Sequence, residues 1–107
     1  MILPSGVAGV LGLFGGTFDP VHNGHLRSAF ELRQRLAIDR VFFIPAGEPP
    51  HRDSPVASTE LRVSMLEAAL DDFADSVVDP RELSRDGPSY TIDTAKSFRD
   101  EFPNHVL

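Results

Sequence analysis

His22 and His25 stand three residues apart with Gly24 between them, and Gly15-Gly16-Thr17-Phe18-Asp19-Pro20-Val21 runs directly ahead. At that spacing two imidazoles share one face of a helix's first turn. Glycine has no Cβ, so Gly15 and Gly16 let the backbone turn sharply and come close to a ligand. A helix beginning near His22 adds unpaired backbone N–H groups and the positive end of its dipole, both of which favour an anion. Imidazole N–H groups and the Thr17 hydroxyl can donate to phosphoryl oxygens. The chemistry these residues describe is phosphate binding. Two plainer readings stand beside it: a glycine turn with two solvated helix-cap histidines, and a two-histidine zinc site, for which no third ligand is evident.

The elements that must hold these residues are legible on either side. Val10 to Phe14 is a short apolar run ending in glycines, as a buried parallel strand reads. Leu26, Ala29, Phe30 and Leu36 have helical spacing, predicting a helix from about His22 to Ala37. Val41-Phe42-Phe43-Ile44 is a second strand, stopped by Pro45. Glu48 to Ala57 holds three prolines and reads as a loop. Ser58 is the expected N-cap of a second helix with Leu66, Ala69, Leu70 and Phe73 on its apolar face. Ser76-Val77-Val78 reads as a third strand. Gly87-Pro88 marks a turn, and Thr91, Ala95, Phe98 and Phe102 form a third helical stripe closed by Pro103. The order βαβαβα predicts the first half of a Rossmann-like, doubly wound α/β fold, a parallel sheet of strand order 3-2-1. His105-Val106-Leu107 reads as the beginning of a fourth strand. Residues 1–8 are expected to be a loose leader and 9–107 half a domain.

Composition sets bounds. Over 107 residues the net charge is −6, which argues against sequence-independent nucleic-acid binding, since that needs a basic face. Any positive potential for an anionic ligand is therefore local, with His22, His25, Arg27, His51 and Arg52 as candidates. The absence of cysteine excludes disulfides and thiolate metal sites and is compatible with a reducing cytoplasm. The apolar N-terminus has no Lys or Arg before Arg27, so it lacks the charged region of a signal peptide. No apolar run approaches the roughly 20 residues that span a bilayer, so no membrane partner is expected.

Gly15-Gly16-Thr17-Phe18-Asp19-Pro20-Val21-His22-Asn23-Gly24-His25 resembles the signature of the bacterial nicotinate-nucleotide adenylyltransferase family, within the superfamily marked by His-x-Gly-His. Ile44-Pro45-Ala46-Gly47-Glu48-Pro49-Pro50-His51-Arg52 and Pro88-Ser89-Tyr90-Thr91-Ile92-Asp93-Thr94 resemble two further family segments in order and rough spacing. The likeness runs from about Leu11 to the last residue and covers the N-terminal half of such enzymes, so a truncated form is expected. The resemblance implies adenylyl transfer from ATP to nicotinate mononucleotide, giving nicotinate adenine dinucleotide and pyrophosphate, in the cytoplasm. Related adenylyltransferases of phosphopantetheine or nicotinamide mononucleotide, and a non-catalytic nucleotide-binding fragment, are the alternatives.

On that resemblance Thr17, His22 and His25 are catalytic, and Phe14, Gly15, Gly16, Thr17, His22, Gly24 and His25 receive ATP, with room for adenine at Gly24. Gly16, His51, Arg52, Tyr90 and Thr91 receive nicotinate mononucleotide. The Pro-Pro-His-Arg loop closes over the substrates, although a solvated surface loop is the plainer reading. Backbone N–H groups near Thr91 take the nicotinate carboxylate, or Ser89-Tyr90-Thr91 is a Ser/Thr cap with a core-packing tyrosine. Asp19 is a base, a magnesium ligand or a turn residue. Magnesium is expected with ATP, whose phosphates need charge neutralisation, and no protein-held metal site is. Arg62 and the aromatics Phe42, Phe43, Phe98 and Phe102 are assigned to packing and surface. Without a fourth strand beside it, strand 1 would be an apolar edge inviting self-association.

Overall fold

Both long apolar runs become central strands of one parallel sheet, and the reason lies in their alternation. In a computed structural model that describes residues 8–18, 21–47, 58–84 and 90–107, β1 (Gly9–Gly16) pairs with β2 (Arg40–Pro45), from Leu11 opposite Arg40 to Gly16 opposite Pro45. Successive strand side chains point to opposite faces. Val41 and Phe43 join Phe18, Ala29, Leu66 and Leu70 in one core, while Phe42 and Ile44 join Leu11 and Phe98 in another. Burial on both faces is what makes the run continuously apolar.

Three helices cover those faces. α1 (Asn23–Arg35) and α2 (Thr59–Leu70) supply Ala29, Leu66 and Leu70 to the first core, and α3 (Thr91–Glu101) supplies Phe98 to the second. β3 (Ser76–Val78) flanks β2, and β4 (His105–Val106) flanks β1 by pairing with Gly9 and Val10. The sheet order is β3-β2-β1-β4, all neighbours parallel. The expected order 3-2-1 holds and gains a strand. β1 is therefore not a bare edge: its first two residues are paired, and from Leu11 to Gly16 no strand lies on that side among the described residues.

Element ends depart from expectation in two places. α1 stops at Arg35 instead of Ala37 because Ala37 adopts a left-handed φ of 49° and the Ile38 N–H returns to the Arg33 carbonyl at 3.0 Å. Leu36, read as part of the apolar face, is consequently exposed. Phe73 lies beyond the end of α2 and packs tilted against Phe30, ring centroids 4.3 Å apart. Of the expected leader only Ala8 is described, and its N–H donates to the Asn104 carbonyl at 2.8 Å. No helix among the described residues is long and apolar enough to cross a membrane.

Candidate functional site

β1 and β2 end side by side, the Ala46 N–H donating to the Gly16 carbonyl at 2.8 Å and extending the ladder past Pro45. Beyond that point the chain turns through Thr17 to Phe18, which is buried at a left-handed φ of 50°. Such a φ is costly for a bulky residue and persists only where packing dictates it. Phe18 stacks on Phe14 at 5.7 Å and tilts against Phe43 at 6.0 Å. A Cβ on Gly16 would come within 3.3 Å of the Phe18 ring. The glycine therefore makes room for a folded-back phenylalanine.

α1 begins at Asn23 with His22 as its N-cap, and the two histidines cap the helix reciprocally. The Gly24 N–H donates to His22 Nδ1 and the His22 N–H to His25 Nδ1, each at 3.1 Å. The imidazoles stack with centroids 3.7 Å apart. Because both Nδ1 atoms accept, the neutral rings carry their protons on Nε2, and those two N–H groups are the donors left for a ligand. Burial, and then the neighbouring His22, lowers the His25 pKa. Its ring meets Phe14 and Phe18 edge-on at 6.1 and 5.1 Å.

This arrangement adds two details. The backbone N–H of Gly24 is taken by the His22 side chain. A Cβ at Gly24 would lie 2.9 Å from His22 Cε1 and 3.0 Å from Nδ1, so the glycine is required by the histidine cap itself.

On the sheet's other face α3 follows a parallel strand and so begins at the same carboxyl edge. Tyr90 is its N-cap, 51% exposed and making no side-chain cap bond. Tyr90 is thus not the core-packing residue of the plainer reading, and Thr91 is exposed as the first helical residue. α3 is fixed lower down. Thr94 Oγ1 and a Glu82 carboxylate oxygen are 2.7 Å apart, and Arg81 binds Asp79 through Nε and Nη2, Ser97 through Nη1 and Glu101 through Nη2. Its guanidinium also lies 3.4 Å from the Phe98 ring centroid. The 82–83 segment crosses Gly47 so closely that a Cβ there would meet the Glu82 carbonyl at 2.9 Å. The ends of β2 and β3 are thereby locked together.

Arg62, assigned to packing and surface, is 1% exposed. Nη1 donates to the Thr17 carbonyl at 2.9 Å and the Ala46 carbonyl at 2.7 Å, and Nη2 to Thr59 Oγ1 at 3.3 Å. The signal was available: Arg62, Leu66 and Leu70 fall four residues apart on one face of α2, and all three are buried. Arg81 carried no such signal.

The structure thus gathers Phe14, Gly16, Thr17, His22, Gly24 and His25 at the end of β1, with Tyr90 and Thr91 opening α3 at the same edge. Asp19, His51, Arg52 and Ser89 lie outside the described residues. Among those described, no group of three His, Cys, Asp or Glu side chains could hold a metal ion.

Residues 13–104 match the cytidylyltransferase-like family. The chain belongs to that family. It is 53% identical over 91 residues to a protein of Pseudomonas aeruginosa named a probable nicotinate-nucleotide adenylyltransferase, covering 85% of this chain and 42% of that one. Proteins of the same name from Chromohalobacter salexigens and Methylococcus capsulatus are 54% and 52% identical, covering 83% and 92% of this chain but 41% and 47% of theirs. The chain spans less than half the length of these curated relatives. Plasmodium falciparum nicotinic acid mononucleotide adenylyltransferase, solved in complex with NaAD, superposes with a TM-score of 0.75 at 16% identity, covering 91% of this chain and 48% of that one. At that identity the likeness shows the fold alone, a Rossmann-like parallel α/β sheet. In this cytidylyltransferase-like chain the His-x-Gly-His segment is the reciprocal cap of α1, standing directly after the turn that closes β1.

Proposed function

We propose that the polypeptide carrying this chain is a cytoplasmic adenylyltransferase of NAD biosynthesis that joins nicotinate mononucleotide to ATP. A phosphate oxygen of the mononucleotide attacks the α-phosphorus of magnesium-bound ATP. The bond from that phosphorus to the bridging oxygen breaks, and pyrophosphate leaves with the electron pair. The nucleophile is already an anion and needs no strong base, so positioning and charge stabilisation carry the catalysis. Magnesium belongs to the nucleotide substrate and keeps most of its waters.

The observation that carries this reading is the stacked, reciprocally capped histidine pair beside the glycine turn. With both Nδ1 atoms engaged, two Nε2–H donors are held at a helix N-terminus, suited to the oxygens of the reacting phosphate. The names of the relatives support the choice of mononucleotide. Thr17 adds a hydroxyl, Phe14, Gly15, Gly16 and Gly24 line the ATP, and the Tyr90–Thr91 start of α3 receives the nicotinate carboxylate. His51 and Arg52 complete the mononucleotide site. The open stretch of β1 from Leu11 to Gly16 favours a second reading for the 107 residues alone, a nucleotide-binding fragment that self-associates along that edge.

Pyrophosphate release by the full encoded polypeptide, with magnesium-ATP and either nicotinate or nicotinamide mononucleotide, tests the first reading. Release favouring nicotinate and lost in His25→Ala is expected; nicotinamide preference, or phosphopantetheine as the better acceptor, would replace it. A light-scattering mass equal to one 11.7 kDa chain at high concentration would sink the second.

A further inference from the structure

Arg62 is a positive charge in an unusual place. No carboxylate among the described residues pairs with it, and its buried Nε has no partner there. Burying a charge without a counter-charge is expensive, and apolar replacements for buried ions are often tolerated or stabilising. Packing alone would be served by continuing the Leu66–Leu70 stripe with another apolar side chain. What the guanidinium does uniquely is bind, through the single atom Nη1, carbonyls at the carboxyl ends of two neighbouring strands.

A trans peptide holds its C=O and the following N–H on opposite sides. Turning the Thr17 and Ala46 carbonyls onto Arg62 therefore aims the N–H groups of Phe18 and Gly47 away from it. Neither N–H donates to a backbone carbonyl among the described residues. Phe18 is held at its left-handed φ in this same turn, and outward-turned backbone N–H groups at the carboxyl ends of two adjacent strands are donors an anion can meet.

We propose that Arg62 is a positioning residue for phosphate recognition. Its buried charge biases the carboxyl edge of β1 and β2 toward anions, and its paired bonds orient the peptides after Thr17 and Ala46. The inference rests on the adenylyl-transfer reading only in its choice of nucleotide as ligand.

The test is calorimetric binding of magnesium-ATP, inorganic pyrophosphate and adenosine to the full encoded polypeptide as wild type, Arg62→Gln and Arg62→Lys. Glutamine removes the charge; lysine keeps it and loses the fork of donors. Arg62→Gln is expected to weaken ATP and pyrophosphate roughly tenfold or more while moving adenosine less than about threefold, because only charged ligands sense the lost field. Arg62→Lys should weaken the anions less than Arg62→Gln does. Equal losses for adenosine and ATP, or no loss, would overturn the inference and leave Arg62 a structural tie. Should Arg62→Gln fail to fold by circular dichroism, the lysine variant decides: weaker pyrophosphate with unchanged adenosine supports the inference, and parallel loss overturns it. Wild-type protein that binds pyrophosphate but not adenosine would fail the adenylyl-transfer reading while the Arg62 comparison still runs on pyrophosphate. Wild type that binds neither anion overturns both.

Discussion

The N-termini of α1 and α3 reach the same edge of the sheet from opposite faces and are finished by different means. α1 is closed by its own side chains: His22 and His25 each accept one of its first N–H groups. α3 starts at an exposed Tyr90 without a side-chain cap and takes its rigidity from Arg81 and Glu82, which belong to the segment before it. The difference bears on what each end offers an anion. At α1 the early backbone donors are partly consumed, and the histidine Nε2 atoms take their place. At α3 the Asp93 and Thr94 N–H groups turn back to the Tyr90 carbonyl at 3.0 and 3.2 Å, and those of Thr91 and Ile92, which have no backbone acceptor among the described residues, are themselves the donors. One end therefore suits a reacting phosphate, the other a carboxylate that is only held.

The comparison breaks most sharply at His25. Asparagine places an acceptor near the position of Nδ1 but nothing at Nε2, so His25→Asn should preserve the cap and remove the ligand donor. Loss of one preorganised donor typically costs about 10²–10³ in kcat, roughly 2.7–4 kcal/mol. On the proposed activity, His25→Asn should fall in that range with its urea midpoint unchanged. A variant that unfolds early but turns over normally would mean the histidine is a cap and nothing more.

At the α3 end the corresponding change is Arg81→Gln, and its effect should be on stability. Arg81 and Asp79 are mostly buried, and removing the cation strands the carboxylate. Burial raises the Asp79 pKa, but hydrogen bonds from Arg81 outweigh this and hold it below the usual carboxylate value. A loss of about 2–3 kcal/mol in urea unfolding is expected. If the α3 N-terminus is positioned through this network, the mononucleotide KM should rise while ATP binding stays put. Equal weakening of both would mean the network supports the whole edge.

The two ends were unequally legible in the sequence. His22, Gly24 and His25 announce themselves by type and spacing, and the apolar runs on either side leave little doubt about the strand and helix that carry them. The cap was legible as the plainer reading, two helix-cap histidines, but its reciprocal form was not, because Ser, Thr, Asp and Asn are the usual N-caps. Arg62 was half-visible, in phase with Leu66 and Leu70 yet charged. The Arg81 network was invisible, since Ser97 and Glu101 lie 16 and 20 residues away and meet Arg81 only once α3 has packed on the sheet. β4 was legible as the beginning of a fourth strand at His105-Val106-Leu107, and it pairs with β1 through two residues.

Gly24 sharpens the comparison at smaller scale. Alanine is a better helix former than glycine by about 0.8–1.0 kcal/mol, but its Cβ would crowd the His22 ring at 2.9 Å. A ring can swing away at little cost, so Gly24→Ala should leave the free energy of urea unfolding within about 1 kcal/mol of wild type. The displaced ring no longer caps the helix or stacks on His25, and turnover should fall roughly tenfold, a misplacement effect. Full activity would show that the stacking is incidental.

The smallest effect separates the two ends by pH. The His25 pKa lies below its ordinary 6.5, first because the ring is partly buried and second because His22 is beside it. The unfolded chain then binds more protons than the native one as pH drops past 6.5, so the stabilising contribution is present above that value and is lost toward the lowered native pKa. Protonation of Nδ1 also abolishes the acceptor that caps the His22 N–H. Asp79 is depressed below 3.8, so its contribution persists through this range and is lost only at more acidic pH. Urea midpoints followed downward from pH 7.5 should therefore fall in two stages. His25→Asn should remove the upper stage and Arg81→Gln diminish the lower. A single stage surviving both substitutions would mean that neither end governs the acid response.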